Sequence, residues 1–262
     1  MATTDGHRGF IVDCEVIAEV NEAPQLIESI NRIEASFGQK PERMLTDAGN
    51  TRGQIQAAME ERGVEFYAPV ESSQPQPGNP ACRDDPTQPV PDERRPELPR
   101  NSQGRLDKSC FVYDAQHDQY YCPQGHPLPF ETTKPEWRGE KRVGQRLYRC
   151  GHCSGCPLIA ACLSPKNQYG RTITRDEYEE VRERTAARMA SEPARLLYKQ
   201  RPRIAETPFG ILKRVMGLRQ FLLRGLEKVR TEWRWACTAL NLGKLVRAFA
   251  RLRAEFTQLA TM

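Results

Sequence analysis

No stretch of this 262-residue chain approaches the roughly 18 consecutive apolar residues that a membrane-spanning helix needs. The N-terminal segment also lacks the short apolar core of an export signal. These two absences argue against a membrane partner and set the cytoplasm as the expected compartment. Hydrophobic residues are sparse as well, at 38% against 28% charged, and there are 20 prolines. A chain of this length supports one large core or two small ones, but that mixture implies at least one poorly packed connection. No internal repeat is evident, which sets solenoid and propeller architectures aside.

What is present is unevenly distributed. Net charge is only +5, yet from Arg171 onward there are 20 Lys/Arg against 10 Asp/Glu, leaving 19 against 24 in the first 170 residues. The basic final third is the expected surface for a polyanion, with nucleic acid the first choice. Five of the nine cysteines crowd between positions 122 and 162. Without an export signal, clustered thiolates read as metal ligands before they read as disulfides.

Along the chain, the β-rich run Phe10 to Val20 predicts a strand. Asn21 is placed to cap a helix over 24–37, carrying Leu26, Ile27, Ile30 and Ile33 at helical spacing, with Gly38 as its stop. A short strand Arg43 to Asp47, a helix over 54–62 and a strand over 64–70 complete a β-α-β-α-β order, which implies a parallel layer. Residues 72–104 hold eight prolines and few aliphatic side chains, a composition that predicts a linker or the flexible base of an insertion. Residues 110–165 form a cysteine-rich module, and the chain is helical almost throughout from Asp176. Pro193, Pro202 and Pro208 punctuate that region, and a last helix is expected over 226–259.

The clustered thiols are Cys122, Cys150, Cys153, Cys156 and Cys162. Cys122 lies in the turn Cys-Pro-Gln-Gly-His126, and Cys150, Cys153 and Cys156 form C-x2-C-x2-C. A C-x2-C turn presents two thiolates to one tetrahedral zinc, so structural zinc is the preferred reading. The same spacing resembles part of a ferredoxin-type cluster motif, and unmetallated thiols are the third option. In each case the module is structural, stabilising a small segment with little core of its own.

Asp47 ends a predicted strand just before Gly49, so its carboxylate is expected at the carboxyl edge of the sheet, where ligands gather. Such an Asp is ordinarily a turn former, and Glu206 alone is equally unremarkable. The string Tyr198-Lys-Gln-Arg201-Pro-Arg-Ile-Ala-Glu206-Thr-Pro-Phe-Gly-Ile-Leu-Lys213 resembles the C-terminal signature of insertion-sequence transposases with an RNase H-like DDE domain. In that signature a Tyr and an Arg three residues on precede the catalytic Glu, and a Lys follows it by seven. Both intervals stand here, while the Arg-to-Glu gap is one residue longer than the usual form. Leu45-Thr-Asp47-Ala-Gly-Asn50 resembles the family's second-Asp motif, and Ala239-Leu-Asn241-Leu-Gly-Lys244 its closing helix. The cysteine module matches one branch of the family in position.

The resemblance implies Asp47 and Glu206 as catalytic residues holding Mg2+ or Mn2+, and Tyr198, Arg201 and Lys213 as DNA contacts. It implies ions that activate water, then a DNA 3′-hydroxyl, for in-line attack on phosphodiesters. The implied partners are element terminal inverted repeats and target DNA, with a homodimer as the assembly in the DNA complex. The expected fold is α/β: a partial RNase H-like half over 1–71, a flexible linker over 72–109, a cysteine-rich, zinc-binding insertion over 110–170 and a helical part over 171–262. The family's first Asp falls on a strand this chain does not show; Asp5 and Asp13 are displaced candidates. A truncated, inactive transposase copy is therefore expected, and a non-catalytic zinc-ribbon DNA-binding or regulatory remnant is the alternative.

Overall fold

The computed structural model describes residues 1–18, 23–70, 72–138 and 141–260, and they form two compact units. Unit one joins Met1–Pro69 to Arg188–Met262, and unit two is the continuous stretch Val70–Ala187.

Unit one opens with β1 (Ala2–Thr4) and β2 (Ile11–Cys14), an antiparallel pair. Asp5 shapes their connection, its carboxylate accepting from the amides of His7 and Arg8 at 2.9 Å and of Phe10 at 3.3 Å. α1 (Ala23–Phe37) turns Leu26, Ile30 and Ile33 inward, one face of a 3.6-residue repeat. It stops at Gly38, whose φ of +72° is left-handed and whose N–H closes on Glu34 O at 2.8 Å. β3 (Arg43–Leu45), α2 (Gly53–Glu61) and β4 (Glu65–Tyr67) make a β-α-β crossover, with Met44 opposite Phe66 in a parallel ladder. Ile55, Met59, Val64 and Phe66 are buried within it.

This departs from the expected three-strand parallel layer. Among the described residues β2 pairs with β1 alone, and the parallel sheet has two strands. The expected strand over 10–20 shortens to Ile11–Cys14, and its last two positions, with the Asn21 cap, lie outside the described residues.

Unit two is organised by an antiparallel sheet in the order β5 (Val112–Asp114), β6 (Gln119–Tyr121), β7 (Pro127–Arg138), β8 (Lys141–Arg149) and β9 (Thr172–Arg175). A short helix, α3 (Ile159–Cys162), follows β8. The segment expected to be a linker packs into this unit. Ala81, Val90, Leu98 and Leu106 are at most 2% exposed and share a core with Phe111, Tyr120, Leu128 and Tyr148. Val90 N donates to Pro123 O at 2.7 Å, and a Cβ on Gly125 would lie 2.0 Å from Thr87 O, so only glycine allows that approach. A proline-rich chain with few apolar residues orders here because those few reach a core that its neighbours supply.

Helices follow: α4 (Glu179–Ala190), α5 (Glu192–Tyr198), α6 (Thr207–Arg214) and the 35-residue α7 (Leu226–Ala260). Between α5 and α6, Pro202–Glu206 winds as a π-helical turn. Pro208 has no N–H for the Ile204 carbonyl and its ring crowds the preceding turn, which widens. α7 directs Trp233, Cys237 and Leu240 onto Ile11 and Leu212. Asn241 acts as a strand substitute at β2: its Oδ1 accepts from Ile11 N at 2.9 Å while its Nδ2 donates to Ile11 O at 2.8 Å. No helix among the described residues is long and apolar enough to cross a membrane.

Candidate active site

The carboxyl end of β3 delivers Asp47. Thr46 extends the ladder, its N–H donating to Tyr67 O at 3.0 Å, and the backbone then leaves the sheet in a 3-10 turn over Ala48–Asn50. One Asp47 oxygen, Oδ1, caps that turn, accepting from Gly49 N and Asn50 Nδ2, both at 3.1 Å. Asn50 also donates to Thr46 Oγ1 at 2.9 Å, so Thr46, Asp47 and Asn50 hold one another. The turn-former role is therefore real, and it uses only half of the carboxylate.

The other half faces a cation. Arg201 Nη2 lies 3.6 Å from Asp47 Oδ2, and Arg201 Nη1 lies 3.7 Å from Glu206 Oε1. The guanidinium is thus in ionic contact with both acids, at distances longer than hydrogen bonds. Its side chain is 23% exposed while those of Asp47 and Glu206 are 56% and 67% exposed, so both carboxylates are open to water and to ligands. Glu206 is the last residue of the π turn, five positions after Arg201. An ordinary helix brings i and i+4 together, and the widened turn brings i and i+5 together instead.

Tyr198, at the end of α5, donates its phenol to Thr46 O at 2.9 Å. Burial raises its pKa, with the Asp47 carboxylate adding to the effect and Arg201 opposing it. Tyr198 therefore ties α5 to the residue before Asp47. Arg188 makes a similar tie, donating to Phe66 O at 3.0 Å. Lys213 lies on α6, exposed, two turns beyond Glu206. The structure thus brings Asp47, Tyr198, Arg201 and Glu206 to one place. Sequence reasoning did not single out Thr46 and Arg188, whose roles run through backbone carbonyls and leave no motif.

The displaced candidates for a third acid are engaged elsewhere. Asp13 is buried and bidentate with Arg32, both contacts at 2.8 Å, and Asp5 serves its own turn. Two carboxylates are nevertheless a fitting donor set for Mg2+ or Mn2+, hard ions that keep several waters and are bound through one or two carboxylates plus substrate phosphate.

The cysteines converge less than expected. Cys122, Cys150, Cys153, Cys156 and Cys162 line one cavity of about 20 Å3, together with His126 and His152, whose rings stack at 5.1 Å. The Cys153 thiol donates to the Cys150 carbonyl at 3.7 Å. The neighbouring Cys150 thiol lowers the Cys122 pKa and Cys122 in turn raises that of Cys150, while burial pushes Cys162 up to about 12. Among the described residues, however, no three His, Cys, Asp or Glu side chains are placed to hold one metal ion. The expected zinc site at these five cysteines is not supported: sharing a cavity wall is weaker than aiming four donors at one point.

The model of the family described as Transposase DDE domain matches residues 121–246. No curated protein and no solved structure matches the chain.

Proposed function

We propose that this chain acts in DNA transposition through Asp47 and Glu206, a reading supported by the match of residues 121–246 to the transposase DDE-domain family. The matched span contains Tyr198, Arg201, Glu206, Lys213 and the five clustered cysteines, while Asp47 precedes it. The observation that carries the assignment of Asp47 is therefore Arg201, which contacts both carboxylates at 3.6 and 3.7 Å. In this reading Asp47 and Glu206 hold Mg2+ or Mn2+, which supplies a Lewis acid and an activated water or 3′-hydroxyl for phosphodiester attack. Arg201 balances the two acids and is the cation nearest the cleaved phosphate. Tyr198 positions Asp47 through the Thr46 carbonyl, and Lys213 contacts the strand further along.

Cleavage of duplex DNA bearing the element's terminal repeats, in Mn2+, tests this. Asp47→Ala and Glu206→Ala should each abolish cutting while DNA still binds, and Arg201→Ala should tighten Mn2+ binding by removing the competing cation. Undiminished cutting by both acid variants would sink the assignment. A second reading, a DNA-binding remnant without catalysis, draws on the engagement of Asp13 by Arg32. It predicts metal-independent DNA binding that neither acid variant changes, and it expects little strand transfer from this chain alone.

Two finer readings have narrower support. Structural zinc has in its favour only the common cavity of the cysteines; metal analysis after dialysis decides it, one ion per chain carrying the reading and none dropping it. A homodimer has in its favour an exposed stripe on α7 at heptad spacing, Trp235, Leu242, Leu245, Phe249 and Leu252. Light scattering with and without DNA measures that assembly.

A further inference from the structure

The β1–β2 hairpin lies along α7, held by contacts spaced one helical turn apart. Trp233 Nε1 donates to Met1 O at 3.2 Å, Asn241 engages both polar groups of Ile11, and Lys244 Nζ donates to Gly9 O. Positions 233, 237, 241 and 244 are successive neighbours on one helix face. Met1 O also accepts from Glu15 N at 3.1 Å, so Trp233 marks the Glu15 end of β2 while Asn241 marks its Ile11 end. Cys237, midway between Trp233 and Asn241, is therefore aligned with the stretch of strand between those two ends. Cys14 is in that stretch, packed against the core cluster that contains Cys237.

The two thiols differ in a way that suits them to different roles. Cys237 is 3% exposed, whereas Cys14 is half-buried and open to a small solute. The neighbouring Cys237 thiol holds Cys14 below its ordinary value, with burial opposing and the Arg234 charge assisting. Cys14 in turn, together with burial, pushes Cys237 up. The thiolate is the form that attacks an oxidant, so the accessible, more acidic Cys14 reacts first and Cys237 keeps its proton beside it.

We propose that Cys14 and Cys237 are an oxidation site, joined by a peroxide into a reversible disulfide that clamps the N-terminal hairpin to α7. The Cys14 thiolate attacks one peroxide oxygen and breaks the O–O bond; the departing hydroxide recovers the proton Cys14 had given up and leaves as water. Cys14 is then a sulfenic acid. The Cys237 sulfur attacks the Cys14 sulfur, the S–OH bond breaks, and the second hydroxide leaves as water with the Cys237 proton. Two thiols and one peroxide thus give one disulfide and two waters, with two electrons passing from sulfur to oxygen. The bond closes a loop of more than 200 residues, and long loops constrain the unfolded chain most. The proposal is independent of the strand-cleavage reading.

The test treats the reduced full chain with hydrogen peroxide, alkylates the remaining thiols and maps the peptides without reductant. A peptide joining Cys14 to Cys237 is expected, lost on adding dithiothreitol and absent from Cys14→Ser. In Cys237→Ser the Cys14 sulfenic acid has no partner, and dimedone should label it. Oxidation should raise the urea midpoint of the native chain and restore the midpoint lowered by Asn241→Ala, because the bond holds the same seam. The mapping on the native chain decides the matter even where a variant fails to fold. Recovery of Cys14 and Cys237 as alkylated thiols while other cysteines are oxidised would overturn the proposal, as would Cys14 joined to any other cysteine. A Cys14–Cys237 bond that leaves the urea midpoint unchanged would overturn the clamp.

Discussion

At the scale of single residues, two kinds of group behave differently from their reputation. Asp47 is both a turn cap and an ion-pair partner, because its two oxygens point to different tasks. The sequence presented those tasks as competing explanations, since a residue letter carries no information about its separate lone pairs. Cys110 is the other case. Burial, with Asp107 nearby, pushes its thiol up from 9.0 to about 12, and the S–H donates to Pro99 O at 3.3 Å. A raised pKa means that the folded state keeps a proton the unfolded state loses, so this stabilisation is complete below pH 9 and is lost as pH rises towards 12. Denaturation measured from pH 8 to 11 should show stability falling above pH 9 by up to about 1.4 kcal/mol per pH unit per such thiol. Cys110→Ser, which keeps a donor but does not ionise there, should flatten that decline. An identical slope in the variant would assign the alkaline sensitivity to other groups.

At the scale of elements, helices were the most legible part and short strands the least. α1 and α7 fall within one residue of their expected bounds because both repeat their apolar positions over many turns. β2 has four residues, too few for alternation to distinguish its partner, and its contact with Asn241 lies 230 residues away in sequence. That contact is testable. Asn241→Ala leaves both polar groups of Ile11 without this partner, and a loss of about 1–3 kcal/mol is expected in urea denaturation. A loss below a few tenths would mean that water replaces the amide at no cost.

The π turn explains the sequence's one departure from the signature it resembles. The extra residue between Arg201 and Glu206 is absorbed by a wider turn, and the two side chains still meet. Removing Ala205 should convert that turn to ordinary α-helix and preserve both metal binding and fold. The same deletion inside α6 should rotate Lys213 by about 100° and weaken DNA binding. If the first deletion is as harmful as the second, the π turn is not the compensating device.

At the scale of the whole molecule, charge asymmetry makes the prediction. With 20 Lys/Arg against 10 Asp/Glu from Arg171 onward, DNA affinity should fall steeply with salt. The log–log slope reports the phosphates contacted, about 0.9 per phosphate for duplex DNA, and Lys213→Ala should lower it by about one. The proline-rich segment was the largest misreading at this scale. Composition over 72–104 counts apolar residues but does not show that Ala81, Val90 and Leu98 insert into a core built by later strands.

The interrupted layout of unit one has a consequence for synthesis. Unit two is one continuous stretch, Val70–Ala187, and can close its core as soon as it leaves the ribosome. Unit one cannot, because Ile11, buried against Trp233 and Leu240, waits for chain made more than 200 residues later. At about 5–20 residues per second, the N-terminal hairpin spends on the order of 10–40 s without the helix that covers it. A ribosome stalled before α7 would therefore carry a closed unit two beside a β1–β2 hairpin whose Ile11 still lacks the helix that covers it.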